Sequence, residues 1–332
     1  LRRARECGGL HMLTKEQLHV LVNEAVDDYT GRVLPDLAEK SARFRYLFDR
    51  LCATVQRIMD EVADELACSD FEPLAFELSF GPGGQLPAIA IEENGAAARL
   101  VGKVDRVDGW LHDGRLYLRV VDYKTGRKSF DLAELRYGLG LQMLLYLFAL
   151  EERGRALFGG YEIVPAGVLY TPAREPLLRC ARDTAPDKIE RALKKELRRS
   201  GMVLDDRAVL QAMEHGALEA PCYLPIAVKK GKDGAGSVAG SLATAEQMGK
   251  LARYADRQLR TITGEIFSGN IDADPYARTP QQTACTYCEF APACHFENGR
   301  GGDHIEYIRA TKGEEFWRYV DEMNGEGDGK DG

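Results

Sequence analysis

Two short runs of this chain carry residue types that could do chemistry: Gly102-Lys103-Val104-Asp105-Arg106-Val107-Asp108 and Val120-Val121-Asp122-Tyr123-Lys124. Both read as strands. Side chains two apart in a strand point to one face, which sets Asp122 beside Lys124, in phase with Leu116, Leu118 and Val120. The strand would leave an apolar core and deliver a carboxylate and an ammonium at its end. Asp105 falls near the matching end of the neighbouring antiparallel strand. Two convergent carboxylates suit a hard cation such as Mg²⁺, which takes one or two carboxylates plus water and phosphate oxygens. Such a metal polarises a phosphate and lowers the pKa of an attacking water, and Lys124 adds positive charge where the transition state gathers negative charge. An Asp-x-Lys alone is usually just a polar pair at a strand end. The second acid is what singles this one out.

A different chemistry is offered by Cys285-x2-Cys288-x5-Cys294, three soft ligands on a short stretch. With one more ligand, a tetrahedral zinc or a [4Fe–4S] cluster is chemically reasonable, and spacing alone leans towards zinc with His295 or His304 as the fourth. Three unligated thiols so close together would invite oxidation. The other cysteines are scattered, and Cys52, on the apolar stripe of a helix, reads as a small buried hydrophobe.

The elements that must position these groups are legible in part. Thr14-Lys15-Glu16-Gln17 forms a capping box ahead of a helix carrying Leu18, Leu21, Val22, Ala25, Val26 and Tyr29. A second helix runs from Phe44 to Leu66 with a continuous apolar stripe. From Phe71 the period changes to two. A strand to Phe80, one over Pro87–Ile91, a hairpin signal at Asn94-Gly95, a strand from about Ala97 to Val107, and one over Leu116–Tyr123 after Asp113-Gly114 together predict a four-stranded meander. A helix over Leu132–Arg153, a strand at Gly167–Tyr170 and helices over Ile189–Arg199 and Ala245–Thr263 follow. Glycine-rich Lys229–Gly240 reads as a mobile loop, and the tail after Asn324 as frayed.

Composition sets the limits. The 332 residues are 45% hydrophobic and 29% charged, which excludes a collagen-like or largely disordered chain. No apolar run approaches the ~20 residues of a membrane helix, so no membrane partner is expected. With 44 Lys+Arg against 52 Asp+Glu the net charge is −8, which argues against holding DNA by bulk charge alone. Lys103, Arg106, Arg127, Lys128 and Arg136 crowd the motifs and could form a local phosphate-contacting patch. There is no G-x-x-x-x-G-K-[ST] loop and hence no ATP site of that type.

Taken together, Gly102-Lys103-Val104-Asp105 and Val121-Asp122-Tyr123-Lys124 resemble the PD-(D/E)XK nuclease superfamily in its RecB-like branch. Gln142 and Tyr146, one helical turn apart, match the branch's Gln-x-x-x-Tyr element. Asp122-Tyr123-Lys124-Thr125-Gly126 and Tyr137-Gly138-Leu139-Gly140-Leu141-Gln142 look like the nuclease domains of the AddB family, B subunits of bacterial AddAB helicase–nucleases. The resemblance spans about Leu13 to Ile308 and implies an α/β restriction-endonuclease-like fold, a mixed sheet flanked by helices. It implies helical residues 1–70, a nuclease core over 71–180, a helical and loop insertion over 181–280, and a cysteine staple with tail over 281–332. It further implies Mg²⁺ on Asp105 and Asp122, catalysis by these with Lys124, Gln142 and Tyr146, and a [4Fe–4S] cluster on Cys285, Cys288 and Cys294. Implied partners are double-stranded DNA ends, single-stranded DNA and an AddA-like helicase–nuclease subunit, in the cytoplasm. The implied activity is degradation of the 5′-ended strand at double-strand breaks; a catalytically degenerate iron–sulfur scaffold is the alternative. The family's upstream cysteine and its Gly-x-x-x-His helix have no match. Cys7 has the wrong setting, and His11 and His19 read as surface residues. Glu77 ranks low as an additional ligand. The chain, starting at Leu1, therefore reads as a piece of a longer protein.

Overall fold

Helices α1 (Arg2–Glu6), α2 (Lys15–Val33) and α3 (Ala42–Ala67) come first in the structure, a computed structural model that describes residues 1–230 and 236–325. The capping box is formed as expected: the Gln17 N–H donates to Thr14 Oγ1 at 3.3 Å and the Thr14 N–H donates to Gln17 Oε1 at 2.9 Å. The apolar stripe of α3 is buried only towards its C-terminal end, at Val62 and Leu66; Phe44, Leu47 and Leu51 are exposed. Cys52 is accordingly part-exposed, not buried as expected. His19 of α2, its side chain 41% exposed, lies 2.8 Å from Asp60 of α3.

The alternating runs give strands β1 (Glu72–Phe80), β2 (Ile89–Glu93), β3 (Ala96–Leu100), β4 (Gly102–His112) and β5 (Arg115–Lys124). The expected four-stranded meander is corrected here. The stretch read as one strand from Ala97 breaks at Val101; β2 and β3 form their own hairpin, and β1 pairs directly with β4. Tight turns at Asn94-Gly95 and Asp113-Gly114 take the left-handed backbone that two-residue hairpin loops require.

Beyond β5 the helix expected over Leu132–Arg153 is two helices, α4 (Leu132–Arg136) and α5 (Gln142–Arg153). Gly138 and Gly140, with φ of 73° and 71°, interrupt it, so that Gln142 opens a new helix. Then come β6 (Glu162–Pro172), α6 (Pro186–Leu197), β7 (Ser200–Leu204), α7 (Arg207–Met213), β8 (Ile226–Lys230), β9 (Gly236–Gly240), β10 (Leu242–Ala243) and α8 (Ala245–Ser268). Strands β8 and β9 pair, so the described ends of the segment read as a loop are a hairpin. The tail beyond Gly325 lies outside the described residues.

The central sheet has the order β1-β4-β5-β6-β7-β10, with β5–β6 and β7–β10 parallel and the other pairs antiparallel. The parallel β5–β6 step needs a crossover, and α4 and α5 supply it. Because β7 and β10 belong to it, the sheet is not confined to residues 71–180.

The two faces of the sheet differ in kind. Leu116, Leu118 and Val120 join the apolar core with Leu144 and Leu147 of α5. The alternate residues Arg106, Asp108 and Arg119 point the other way and are fully buried, as is Glu65 of α3. Arg106 Nε lies 2.8 Å from Asp108, Arg119 Nε 2.9 Å from Asp108, and Arg199 Nη2 2.6 Å from Glu65. Arg106 therefore holds the fold together and is removed from the expected phosphate-contacting set. Burial by itself would raise the Glu65 pKa, but Arg199, Arg119 and Arg106 bring it down to about 2.

Replacing Glu65 with Ala leaves Arg199 charged in the interior without its carboxylate. The expected loss is about 3–5 kcal/mol, read as a lower urea midpoint. The folded protein binds the Glu65 proton more weakly than the unfolded chain does. Its contribution is therefore complete above the ordinary value of 4.5 and lost as pH falls towards about 2. In acid titrations followed by circular dichroism, the wild type should lose stability over that window while Glu65→Ala loses less.

Candidate active site

The last described rung between β4 and β5 is Arg106 opposite Val121. One residue further, Asp105 of β4 and Asp122 of β5 stand side by side. A carboxylate oxygen of Asp105 accepts the backbone N–H of Tyr123 at 2.9 Å, which ties the end of β4 to β5. Tyr123 is held from its other end, since Arg106 Nη1 donates to its hydroxyl at 2.7 Å. A continuous path thus runs from buried Glu65 through Arg106 and Tyr123 to Asp105.

Asp122 and Lys124 meet as their spacing requires, with Lys124 Nζ 2.7 Å from Asp122 Oδ2. That oxygen is shut off from solvent and receives no well-aligned hydrogen bond from the described residues. The Lys124 ammonium also sits 5.8 Å from the ring centre of Tyr170 on β6. Burial, then Asp122 and Glu134, push the Tyr170 phenol up to about 12, so it remains a neutral platform. Burial raises the Asp105 pKa; the Tyr123 N–H opposes this, the charges of Asp122 and Glu77 add to it, and Lys124 opposes it. A half-buried pair of carboxylates that repel each other fits a divalent cation, whose charge relieves both desolvation and repulsion.

Glu77 takes a backbone conformation that the strand pattern does not announce. Phe76 pairs with Arg106 and Leu78 with Val104, so Glu77 stands across from Asp105. Its φ of 52° lies in the left-handed region, which is rare for a non-glycine residue inside a strand. Regular alternation gives no hint of such a kink.

Gln142 and Tyr146 are also brought together, with Gln142 Nε2 donating to the Tyr146 hydroxyl at 3.1 Å. Tyr146 is buried and stacked on Phe80, while Gln142 is exposed. The hydroxyl lies under Gly102, where any Cβ would collide with it. Thus the glycine of the first motif makes room for the tyrosine of the third. Of the basic residues near the motifs, Lys103 pairs with Glu77, Arg127 with Glu196, Lys128 with Glu134 and Arg136 with Glu315.

The cysteine segment is built from β11 (Tyr276–Thr279), β12 (Gln282–Thr283), α9 (Ala291–Cys294) and β13 (Glu306–Tyr307), with helix α10 (Gly313–Asn324) after it. Arg278 fastens it to α4 through Asp131 at 2.6 Å and Glu134 at 2.8 Å. All eight cysteines are free thiols, and Cys288 and Cys294 are exposed. Three unpaired soft donors within ten residues suit a thiolate-bound metal or cluster in kind. Among the described residues, however, no three His, Cys, Asp or Glu side chains are gathered closely enough to hold a metal ion, at either the cysteines or the carboxylates. His304, considered as a fourth ligand, lies 2.8 Å from Asp274.

A mixed sheet that carries paired acids and a lysine at the ends of adjacent strands, with helices on both faces, is a nuclease architecture. The family model of the PD-(D/E)XK nuclease superfamily matches residues 9–295, and the chain belongs to that superfamily. It is similar to the B subunit of the ATP-dependent helicase/deoxyribonuclease of Ruminiclostridium cellulolyticum, with 32% identity over 310 residues, 93% of this chain and 26% of the relative. The protein of the same name from Acetivibrio thermocellus is 34% identical over 297 residues (89% and 26%), and that from Moorella thermoacetica 33% over 307 (92% and 26%). The chain therefore spans about a quarter of the length of these curated relatives.

Two expectations follow from the geometry. Asp105→Asn keeps an acceptor for the Tyr123 N–H but removes a destabilised charge, so without divalent cations it should melt at a higher temperature than wild type. Gly102→Ala should displace the Tyr146 hydroxyl, with a Tm loss of several degrees in differential scanning calorimetry.

Proposed function

We propose that this chain is the metal-dependent deoxyribonuclease part of a helicase–nuclease B subunit, hydrolysing the 5′-ended strand at double-strand breaks for recombinational repair. The observation that carries the reading is the convergence of Asp105, Asp122 and Lys124 on the adjacent interior strands β4 and β5 in a chain of this superfamily. The kinship to proteins named as subunits of a helicase/deoxyribonuclease supports DNA as substrate and an AddA-like subunit as partner. Work on chromosomal DNA ends puts the protein in the cytoplasm. No helix of the described residues is long and apolar enough to cross a membrane.

In this reading Asp105 and Asp122 hold Mg²⁺, which when bound polarises the scissile phosphate and makes its water a better nucleophile. Lys124, confined between Asp122 and the Tyr170 ring, places its ammonium where charge builds on the phosphate oxygens. Gln142 presents its exposed amide to the DNA strand, and Tyr146 positions it from below. Cys285, Cys288 and Cys294 hold a [4Fe–4S] cluster with a fourth ligand from elsewhere, a staple for the C-terminal segment and not a redox centre. The complete Asp–Asp–Lys set speaks against a degenerate scaffold.

Asp122→Ala in the intact helicase–nuclease complex should abolish cutting of one strand of end-labelled linear DNA while unwinding persists. Continued degradation of both strands would refute the assignment. Anaerobically purified full-length protein should be brown, with stoichiometric iron and sulfide; colourless protein containing zinc would remove the cluster.

A further inference from the structure

Glu77 lies outside the superfamily motifs described above, yet three features of its surroundings bear on the cation site. The register on either side sets it across β4 from Asp105, and Asp105 is one step from Asp122 on β5. Its backbone occupies the left-handed region at φ 52°, a conformation that is costly for an L-residue and persists only where the surroundings enforce it. Its carboxylate is engaged by Lys103 Nζ at 3.0 Å, and Lys103 belongs to the same Gly102–Asp105 run that delivers the first acid.

The pair is exposed, with side chains 55% and 54% accessible. An exposed ion pair of this kind contributes little and exchanges readily. Lys103 thus acts as a weak, tethered monovalent cation on an acid that borders two others. A divalent ion bound by Asp105 and Asp122 would attract the same carboxylate more strongly than one ammonium does.

We infer that Glu77 is a third carboxylate of the cation site, borrowed by Lys103 when no divalent ion is bound and surrendered when one binds. The inference rests on the reading of Asp105 and Asp122 as metal ligands. It reconciles three acids bordering one site with the finding that, among the described residues, no three are gathered closely enough to hold an ion. It also gives Lys103 a second role. Once released, its ammonium stands beside the site and is free to meet a DNA phosphate.

The test is Mg²⁺ and Mn²⁺ binding by isothermal titration calorimetry on the full-length protein, in the absence of DNA. Glu77→Gln should weaken binding by about tenfold, whereas Lys103→Met should strengthen it severalfold by removing the competitor. The double variant should resemble Glu77→Gln, because the lysine matters only through the glutamate. A mere surface salt bridge would make the two single variants alike, and equal or absent effects overturn the proposal. If Glu77→Gln does not fold, Glu77→Ser takes its place with the same expected loss, because removing the Lys103 charge alone would strengthen cation binding by simple repulsion. Wild type that binds neither ion, or binds identically as Asp122→Ala, overturns the metal-site reading and this inference together. Binding that depends on Asp122 but ignores Glu77 and Lys103 overturns only the inference.

Discussion

Two carboxylates, Glu65 and Asp108, and three guanidinium groups, Arg106, Arg119 and Arg199, lie together out of water between α3 and the sheet. Removing charges from water is expensive, and only multiple close contacts among them compensate. The cluster therefore permits few arrangements of β4, β5 and α3. Arg106 alone contacts Asp108, Glu65 and the Tyr123 hydroxyl. A shift of β4 against β5 by one residue would send Arg106 and Asp108 to the apolar face and Asp105 to the charged one. The register that places Asp105 opposite Asp122 is thus enforced from the far side of the sheet.

On the near side, the active-site end is an exit from the core. Leu116, Leu118 and Val120 pack beneath α5, and the next residues of that phase are Asp122 and Lys124. The acids are shielded enough to feel desolvation and each other, and they remain open enough to be reached by a phosphate. Burial acting on Asp105, with Asp122 and Glu77 adding to it, stores unfavourable electrostatics that a bound cation would release.

The helical break at Tyr137–Leu141 links the chemistry to the cysteine segment. It lets α5 begin at Gln142 over the site, and it leaves α4 as a separate short helix. Asp131 and Glu134 of α4 receive Arg278, so the segment bearing the thiols is docked on the same crossover that carries Gln142 and Tyr146. Closing the thiols around a cluster would tighten that crossover.

Much of this was legible from the residues themselves. Capping at Thr14, the period-two runs, the turn at Asp113-Gly114 and the Asp122–Lys124 pair follow from local rules, because backbone preference and side-chain phase act within a few residues. The motifs likewise point to the superfamily, which the family match bears out. What neighbours along the chain cannot determine is which strands pair, and so the four-stranded meander gave way to a β1–β4 pairing with a hairpin set aside. Arg106 looked like a phosphate contact because nothing in its own run tells that α3 and Glu65 cover that face of the sheet, and the left-handed backbone of Glu77, a residue weighed only as a low-ranking ligand, leaves no trace in the alternation. Residue order alone was enough for the chemical inventory: two acids and a lysine at strand ends, and three clustered thiols. Which charges are buried as scaffold and which face the site was settled in three dimensions, since that depends on which distant groups arrive to neutralise them.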